Sequence, residues 1–397
     1  MISERVSGIK PSLTLEITAK AKKMKAEGIS VIGFGAGEPD FNTPDYINAA
    51  AKKAIDIGFT KYTPASGTPE LKKAVCAKFL KDNGLKYEPE QIVVSSGAKS
   101  SLYHAIASIV NPNDEVILPS PFWLTYPELI ALCQGVTVYV KCDKETGYKM
   151  TAEQLEKAVT DKTKCVIINS PNNPTGAVYS EEELKAIAAV AEKHGLYVIS
   201  DEIYEKLVYG GEKHYSIAAA SDYMKEHTVV INGVSKAYAM TGWRIGYFGA
   251  PKDIAKAASS MQSHTASNPC SISQYASTEA LSSSESDAFI DSMQKTFDER
   301  RKFMVKFLQN VDGVVCIEPK GAFYVFVDVS AFYGKTYNGV KIDGSLSFAE
   351  QALGKGVAVV PGIAFGDDNC IRLSYAISLT DIEEGLNRLK SFIKELK

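Results

Sequence analysis

The feature that most constrains the fold is an alternation of short apolar runs with helix-like segments through the middle of the chain. Runs such as EVILPSP (residues 115–121), LYVISDEIY (196–204) and TVVINGVSK (228–236) contain stretches of nearly continuous apolar residues. The segments between them repeat apolar residues at helical spacing, as in AKSSLYHAIASIV (98–110). Strands of this kind are buried on both faces, so the pattern predicts an α/β fold with a mostly parallel sheet covered by helices.

Polar or aromatic residues follow five of the apolar runs. In chain order these segments are SSGAK (95–99), SPFW (120–123), NSPNNPTG (169–176), SDEIY (200–204) and GVSK (233–236). Parallel strands end at the same edge of a sheet, and ligands of open α/β sheets bind at that edge. The sequence therefore predicts that one site is built from these five segments.

The C-terminal part of the chain changes character near residue 290. A long charged amphipathic helix (292–311) precedes two strand-like runs, GAFYVFVDVS (321–330) and CIRLSYA (370–376), and the polar stretch 330–345 is predicted to be a surface loop. A chain of 397 residues is too long for one ordinary core. We expect an N-terminal arm that also contributes to a small domain (1–46), a large domain (47–289) and a small C-terminal α/β domain (290–397).

Charge and composition exclude several classes of protein. The net charge is −3, with 44 Lys and Arg against 47 Asp and Glu, whereas nucleic-acid binding normally needs a basic excess. No apolar run approaches the roughly 20 residues of a membrane span, and the N-terminus does not resemble a secretory signal. The seven scattered cysteines include no CxxC pair, which predicts free thiols in a cytoplasmic protein, and the five histidines indicate no metal site.

The strand-end residues each have a purely structural explanation when they are taken singly. The SSGAK turn leaves free backbone N–H groups at a helix start, which suits a phosphate, but many such turns bind nothing. Asp201 could be a helix cap or half of an ion pair, or it could face a cationic ring nitrogen, with Tyr204 contacting the same ligand. Asn173 could belong to a surface turn, and Trp123 could pack in the core or stack on a flat ring.

Two cations, Lys236 and Arg244, decide between these explanations. They lie between two apolar runs, and long cationic side chains are rarely buried without a partner. A lysine beside a phosphate-type turn, a carboxylate, a phenol and an indole is suited to covalent attachment of an aldehyde cofactor. Arg244 would bind the phosphate of that cofactor. The predicted cofactor is pyridoxal 5′-phosphate, bound by the large domain.

The same motifs resemble those of the class I, fold-type I, pyridoxal-phosphate-dependent aminotransferases, most closely the bacterial aspartate aminotransferases. The resemblance extends over nearly the whole chain and implies a seven-stranded sheet in the large domain. The lysine segment GVSKAYAMTGWRIG (233–246) matches the family pattern, with Gly233 where some relatives have a phosphate-binding serine. The other matching motifs are AGEPDFNTP, YTPASGTPELKKAV, SSGAK, NSPNNPTGAVY, SDEIYEKLVY, GAFYVF and IRLSYA.

The resemblance implies a role for each matching residue. Lys236, Asp201 and Tyr204 would be catalytic, with Lys236 carrying the cofactor and moving the proton, Asp201 pairing with the ring nitrogen and Tyr204 contacting the ring oxygen. A homodimer is implied, because one residue of this set, Tyr62, would reach the phosphate in the other subunit. The residues that would bind the cofactor are Tyr62, Gly97, Ala98, Lys99, Trp123, Asn173, Asp201, Tyr204, Lys236 and Arg244.

Substrate recognition is also implied by the resemblance. The substrate-binding residues would be Gly37, Lys99, Trp123, Asn173 and Arg372, of which Arg372 would bind the α-carboxylate. Lys99, with Ser12 and Thr14, matches relatives that bind a second, distal carboxylate. We therefore expect transamination of L-aspartate with 2-oxoglutarate by a ping-pong mechanism, with amino and 2-oxo acids as the only partners besides a second subunit.

Other activities on the same fold stay open at this point. An aminotransferase for prephenate or aromatic amino acids, or a lyase, would share most of these motifs, and Lys10 leaves prephenate open. A regulatory protein of this fold would carry a basic winged-helix region before the aminotransferase part, which we do not expect here. A catalytically dead binding protein is not expected either, because every catalytic position is filled.

Overall fold

The structure, a computed structural model, describes residues 2–9, 11 and 13–397. Lys10 and Ser12, which the sequence connects with substrate choice, lie outside the described residues. The strands are β1 (Ile32–Gly33), β2 (Ile92–Ser95), β3 (Glu115–Ser120), β4 (Val136–Lys141), β5 (Thr163–Asn169), β6 (Tyr197–Asp201), β7 (Thr228–Gly233), β8 (Gly246–Gly249), β9 (Val315–Cys316), β10 (Tyr324–Asp328), β11 (Thr336–Tyr337), β12 (Val340–Lys341), β13 (Val357–Ala358), β14 (Val360–Pro361) and β15 (Cys370–Ser374). The α-helices are α1 (Glu4–Ser7), α2 (Leu13–Ala26), α3 (Asp45–Asp56), α4 (Pro69–Asn83), α5 (Ala98–Ile109), α6 (Thr125–Leu132), α7 (Ala152–Ala158), α8 (Glu181–Lys193), α9 (Asp222–His227), α10 (Lys252–Thr265), α11 (Ser271–Ser282), α12 (Glu285–Leu308), α13 (Ser345–Gly354) and α14 (Leu379–Lys394).

Seven strands form the main sheet, in the order β2-β8-β7-β6-β5-β3-β4. The strands β7, β6, β5, β3 and β4 pair in parallel, whereas β8 is antiparallel to both of its neighbours, β7 and β2. Six strands therefore run in one direction and end at one edge, which confirms the predicted α/β fold with a mostly parallel seven-stranded sheet. Because β8 runs the other way, its first residues lie at the edge where the other strands end.

Helices cover both faces of this sheet, as the continuous apolar strands require. In β3, Val116 and Leu118 pack in one apolar core with residues of α5 and α6. Ile117, between them, points to the opposite face and packs with Leu184 and Ile187 of α8. This alternation of side chains along the uninterrupted apolar run 116–118 explains why the centre of the strand shows no polar face in the sequence.

Helix α8 shows how local sequence sets an element boundary. The Ser180 hydroxyl accepts a hydrogen bond from the Glu183 backbone N–H (3.2 Å), and the Glu183 carboxylate accepts one from the Ser180 N–H (2.8 Å). Acidic residues in the first turn also interact favourably with the positive end of the helix dipole. The helix ends at Lys193, and Gly195 follows with a positive φ of 67°.

A second, smaller sheet lies in the C-terminal part of the chain. It is antiparallel, in the order β14-β15-β10-β9, and β1 from the N-terminal segment pairs in parallel with the nearby β13. Phe34, just after β1, donates its backbone N–H to the Ala358 carbonyl (2.8 Å) and is fully buried in the core formed with α12 and α14. The stretch 330–345, predicted as a surface loop, contains the short hairpin of β11 and β12.

A buried polar cluster lies beside β6 and β7. Glu205 pairs with the Lys78 ammonium and accepts from the Asn232 amide (2.8 Å), while Glu202 lies 2.9 Å from Nε2 of His214. Glu202, Glu205 and His214 are the group of described residues whose ligand atoms are close enough to share a metal ion. Their carboxylates accept hydrogen bonds from protein donors and form a hydrogen-bonded ion network. Nδ1 of His214 is buried and has no hydrogen-bond partner among the described residues.

Two further properties follow from the helices and the cysteines. Among the described helices, none is long and apolar enough to cross a bilayer. No disulfide bond joins cysteines within the described residues. Four of the thiols are buried, namely Cys142, Cys165, Cys316 and Cys370.

Candidate active site

A cavity of about 270 Å³ opens at the edge where the strands of the main sheet end. It is lined by ten of the twelve residues predicted from the sequence, and Thr14 from the N-terminal segment also lines it. The two exceptions are Gly97, which lies behind the wall, and Tyr62, whose side chain is 90% exposed on the surface of the protomer. The ten lining residues are Gly37, Ala98, Lys99, Trp123, Asn173, Asp201, Tyr204, Lys236, Arg244 and Arg372.

Lys236 follows β7 and points its ammonium into the cavity. Its Nζ donates a hydrogen bond to the Gly37 carbonyl (2.5 Å) and lies 5.7 Å from the ring centres of Tyr204 and Phe323. Burial lowers the pKa of Lys236 to about 8, although the Glu38 carboxylate opposes that shift. A lysine of this kind is partly neutral near neutral pH, as a nucleophile or a general base must be.

Asp201 is the last residue of β6 and is almost completely buried. One carboxylate oxygen accepts a hydrogen bond from the Tyr126 hydroxyl (2.8 Å), and the other accepts from the Ile203 N–H (3.2 Å). Burial raises the pKa of Asp201 to about 6, and these two hydrogen bonds act in the opposite direction. A buried carboxylate that forms no ion pair with the described residues is suited to a cationic ligand atom.

The turn between β2 and α5 forms an anion site together with Arg244. Gly97 caps α5 with a φ of 86° and without a side-chain cap, which leaves the first N–H groups of the helix free for a ligand. A side chain at Gly97 would collide with the Arg244 guanidinium, so the arginine packs directly on the turn. Arg244 itself has a φ of 56° and donates to the Thr241 carbonyl (3.0 Å). A helix N-terminus and a guanidinium at one point favour a phosphate.

Gly233 lies at a crowded position of the main sheet. A Cβ on Gly233 would approach the Ile245 carbonyl to 2.9 Å and the Gly246 Cα to 3.0 Å, because β7 and β8 are close together there. Ser235, two residues later, lines the cavity instead. The hydroxyl of this segment is therefore available from Ser235.

Arg372, on β15, forms the opposite wall of the cavity. Its Nη1 donates to the Asn173 side-chain oxygen (2.9 Å), and its Nη2 donates to the Gly35 carbonyl (3.2 Å). The guanidinium also lies 4.3 Å from the ring centre of Tyr324. Its Nε is buried and has no hydrogen-bond partner among the described residues. A buried cation with an unused donor is suited to a carboxylate ligand.

Lys99 lies between the phosphate-type turn and the indole of Trp123. Its ammonium is 5.1 Å from the centre of the Trp123 ring. Burial and then the nearby Arg244 charge lower the pKa of Lys99. A cation held in this way, without a carboxylate partner among the described residues, is available to an anionic group in the cavity.

Sequence reasoning missed several polar residues of the cavity, among them Tyr126, Tyr324 and Asn169. Tyr126 donates to Asp201, and the Tyr324 hydroxyl is 3.0 Å from that of Tyr204. Asn169 donates to the Asp201 carbonyl (2.9 Å). One signal was present in the sequence, because Tyr126 lies three residues after Trp123, close behind the same strand end.

These features define the class of protein. A cavity at the carboxyl edge of a seven-stranded mixed sheet, with a lysine of lowered pKa opposite a phosphate-type turn, is the arrangement of fold-type I pyridoxal-phosphate enzymes. The family described as aminotransferase class I and II matches residues 29–389. The chain belongs to this family and is an aminotransferase, as the sequence predicted, with amino acids and oxo acids as substrates.

Individual relatives match over nearly their full length. An aspartate aminotransferase of Bacillus sp. (strain YM-2) is 49% identical over 99% of both chains. An aspartate/prephenate aminotransferase of Cereibacter sphaeroides is 46% identical over 98% of both chains. The solved structure of an aspartate aminotransferase from Rhizobium meliloti has a TM-score of 0.96, with 42% identity and complete coverage of both chains.

The cofactor of this family is pyridoxal 5′-phosphate, and the cavity fits its three distinctive groups. The anion site at Gly97 and Arg244 fits the phosphate. The buried Asp201, without an ion-pair partner in the described part of the chain, fits a protonated ring nitrogen. The amine of Lys236, between these two points, fits an aldehyde.

Proposed function

We propose that this aminotransferase transfers the amino group of L-aspartate to 2-oxoglutarate, giving oxaloacetate and L-glutamate by a ping-pong mechanism. The observation that carries the proposal is that two cations, Arg372 and Lys99, line the cavity. A dicarboxylic amino acid has two carboxylates to pair with them. The names of relatives that are 46–49% identical over nearly full length point to the same substrate.

Lys236, Asp201 and Tyr204 have the catalytic roles in this proposal. Lys236 would hold the cofactor through its amine, and the free amine would move the proton from the substrate Cα. Asp201 keeps a proton on the ring nitrogen, because its carboxylate stabilises the cation. Tyr204 contacts the ring oxygen. When bound, the cofactor supplies an electron sink for the substrate carbon.

The remaining cofactor residues position the ring and the phosphate. Trp123 stacks on the ring, and Asn173 donates to the ring oxygen. The phosphate is bound by residues that supply positive charge or free N–H donors, namely Gly97, Ala98, Lys99 and Arg244. Tyr62 serves the site of the second subunit in a homodimer. The support for the dimer is the exposed apolar surface at this point, where Tyr62, Ile57 and Ile55 are 90%, 59% and 56% exposed.

The substrate is held at both ends. Arg372 binds the α-carboxylate through a planar pair of N–H donors, with Gly37 and Asn173 assisting. Trp123 packs on the substrate from the cofactor side. Lys99 binds the distal carboxylate, and Thr14 lies close enough to contribute because it lines the same cavity.

We also propose the division of the chain into residues 1–46, 47–289 and 290–397. Pairing of β1 with β13 supports a small domain shared by both ends of the chain. The boundary at residue 290 lies inside α12 (Glu285–Leu308), so the two domains are connected by a continuous helix. We place the enzyme in the cytoplasm, on the basis of its unpaired thiols at Cys142, Cys165, Cys316 and Cys370.

A half-reaction panel tests the proposed substrate. The cofactor-loaded enzyme is mixed with one amino acid at a time, and the change in cofactor absorbance is followed. We expect aspartate and glutamate to react with far higher kcat/KM than alanine, lysine or phenylalanine, and Lys236→Ala to give no reaction with any of them. A preference for an uncharged amino acid would contradict the assignment.

Prephenate is a second candidate substrate, favoured by the name of the Cereibacter sphaeroides relative. Prephenate also has two carboxylates, so Arg372 and Lys99 fit it as they fit 2-oxoglutarate. The test is to load the enzyme with amino groups from aspartate and then to add prephenate in place of 2-oxoglutarate. Return of the original cofactor spectrum would show a dual activity, and its absence would leave 2-oxoglutarate as the acceptor.

A further inference from the structure

Residues 35–43 lie between β1 and α3, with Gly37 lining the cavity, and we call this segment the strap. The strap contacts the loop that carries the catalytic lysine at several points. The Gly37 carbonyl accepts from Lys236 Nζ (2.5 Å), and the Thr43 hydroxyl donates to the Ala239 carbonyl (2.7 Å). A shift of the strap would therefore move a hydrogen-bond partner of the lysine amine.

The strap contains two carboxylates, Glu38 and Asp40, with different partners. Asp40 pairs with Arg300 of α12 (2.7 Å). Glu38 accepts a hydrogen bond from the Thr241 hydroxyl (2.7 Å), in the lysine loop itself. Glu38 is next to Gly37, whose carbonyl contacts the lysine. The Glu38–Thr241 bond therefore joins the strap to the lysine loop beside the reactive amine.

Charged groups face Lys236 from every side of the cavity. Glu38 from the strap and Asp201 from β6 are negative, whereas Arg244 from the lysine loop and Arg372 from β15 are positive. The aromatic rings of Tyr204 and Phe323 lie on a further side. After burial, which lowers the lysine pKa, Glu38 has the largest effect and raises it.

We propose that Glu38 is a positioning residue for Lys236: held by Thr241, it keeps the Gly37 carbonyl at the amine and stabilises the ammonium form. This inference rests on the proposed function, in which Lys236 takes the proton from the substrate Cα. In that step the Cα–H bond breaks, its electron pair stays on the substrate carbon, for which the bound cofactor would be the electron sink, and the proton forms a new N–H bond on Nζ. The positive charge that appears on Nζ is then stabilised by the carboxylate of Glu38.

Four variants separate the charge of Glu38 from its hydrogen bond. Glu38→Gln removes the charge and keeps an acceptor for Thr241. Thr241→Val removes the donor at nearly constant volume, and Thr241→Ser restores it. Asp40→Asn is the matched control, because it removes a carboxylate from the same strap whose partner is Arg300.

The first measurement is the pKa of the Lys236 amine in the full-length chain after removal of the cofactor. Acetic anhydride, which reacts only with the neutral amine, is applied between pH 6 and pH 10, and the peptide containing Lys236 is quantified by mass spectrometry. For a partly exposed charge pair we expect Glu38→Gln and Thr241→Val to lower this pKa by about 0.2–0.7 units. Thr241→Ser and Asp40→Asn should match the wild type.

The second measurement uses the cofactor-loaded enzyme and aspartate. The acid limb of the rate–pH profile for the half-reaction should move to lower pH in Glu38→Gln and Thr241→Val, and it should not move in Asp40→Asn. An unchanged amine pKa in Glu38→Gln, or a shift equal to that of Asp40→Asn, would overturn the proposal. A shift in Glu38→Gln without one in Thr241→Val would overturn the role of the hydrogen bond.

The two proposals fail in different ways. The labelling experiment measures the amine itself and does not require transamination. If the proposed role of Lys236 were wrong, borohydride reduction would attach the cofactor to a different lysine, whatever the amine pKa, and if only the proposed substrate were wrong, the half-reaction panel would show a preference for an uncharged amino acid. If only the role of Glu38 were wrong, the cofactor would be attached to Lys236 and the variants would titrate like the wild type.

Discussion

Burial shifts the pKa values of two cavity residues, Asp201 and Lys236, towards neutral pH. Burial raises the pKa of Asp201 to about 6 and lowers that of Lys236 to about 8. Desolvation disfavours the charged form of each group, so the carboxylic acid and the amine move in opposite directions. The site thus combines an acceptor for a ring cation with an amine that gains and loses a proton near neutrality.

Lys99 should determine the preference for dicarboxylates. A charge-assisted hydrogen bond is worth about 1.5–3 kcal/mol, so Lys99→Ser should lower kcat/KM for aspartate and glutamate by about ten- to a hundred-fold. Alanine and phenylalanine place no second charge near Lys99 and should change little. Lys73→Ser, on the exposed face of α4, is the control. An equal loss for both substrate classes would show that Lys99 serves the cofactor or the fold.

Tyr126 should keep Asp201 ionised. Its hydroxyl bond favours the carboxylate form, so Tyr126→Phe should raise the pKa of Asp201 above its value of about 6. At a pH below this raised pKa, Asp201 is protonated and no longer attracts a cationic ring nitrogen. We expect cofactor binding to weaken by about two- to tenfold at pH 6 and less at pH 8. Equilibrium titration of the cofactor-free protein at both pH values measures this, with Tyr103→Phe, outside the cavity, as the control.

At the scale of elements, the position of α5 relative to β8 builds the phosphate-type turn. Gly97 needs its positive φ of 86° to turn the chain into α5, and the Arg244 guanidinium occupies the space where a side chain would be. A side chain at Gly246, at the start of β8, would likewise collide with the backbone of Gly97 and Ala98. Two glycines on different elements therefore permit the close approach of a strand and a helix N-terminus.

Gly97→Ala should damage this turn more than backbone strain alone would. Gly84 has a similar φ of 67° at the end of α4 but faces open space, so Gly84→Ala is the matched control. Both variants should lose about 1 kcal/mol of unfolding free energy through strain. Only Gly97→Ala should also weaken cofactor binding, because Arg244 must move. Denaturant unfolding and cofactor titration separate these effects, and equal cofactor binding in the two variants would contradict the model of the turn.

The buried network between α4, β6 and β7 should make stability depend on pH through His214. Burial lowers the pKa of His214. The carboxylates of Glu202 and Glu205 together raise it by more than burial lowers it, so the net change is upward. A histidine whose pKa is higher in the folded state than in the unfolded state stabilises the fold when it is protonated. This stabilisation is fully present below the unfolded-state pKa of 6.5 and is lost as the pH rises through the folded-state pKa.

His214→Gln tests this pH dependence because it removes the charge and keeps a donor. We expect the variant to lose about 1–3 kcal/mol of unfolding free energy at pH 6. The difference from the wild type should shrink at pH 9. Denaturant melts at the two pH values measure it, with exposed His264→Gln as the control. A constant difference at both pH values would show that the imidazolium charge does not contribute.

At the scale of the whole molecule, one protomer leaves Tyr62 90% exposed and outside its own cavity. If the proposed homodimer forms, the phenol serves the site of the partner subunit. The two sites of a symmetric dimer then each combine residues from both chains. This arrangement makes activity depend on which subunit carries which residue.

A mixture of two inactive variants tests that arrangement. Lys236→Ala loses its catalytic lysine but offers Tyr62 to the partner, whereas Tyr62→Ala has the opposite defect. Mixing them 1:1 with subunit exchange should restore about one quarter of the wild-type site number, since half the dimers are mixed and each has one complete site. No recovery would show that Tyr62 acts within its own chain or not at all.

The sequence by itself determined the fold class and most of the candidate site. Uninterrupted apolar runs separated by helical periodicity specify a covered parallel sheet, and parallel strands necessarily bring Ala98, Trp123, Asn173 and Asp201 to one edge. Conformation at each strand end is a local property of the residues found there. For this reason, those placements and the ordered motifs that identify the family could be predicted from the sequence.

Tertiary structure alone decided the remaining contacts. Arg244 reaches the phosphate-type turn because β8 is antiparallel to its neighbours, and its position in the sequence did not indicate this direction. The bonds of Tyr126 to Asp201 and of Glu38 to Thr241 join side chains 75 and 203 positions apart. Such contacts depend on how distant elements pack and on which rotamers the packing permits, whereas periodicity and turn chemistry carry information only about neighbouring residues.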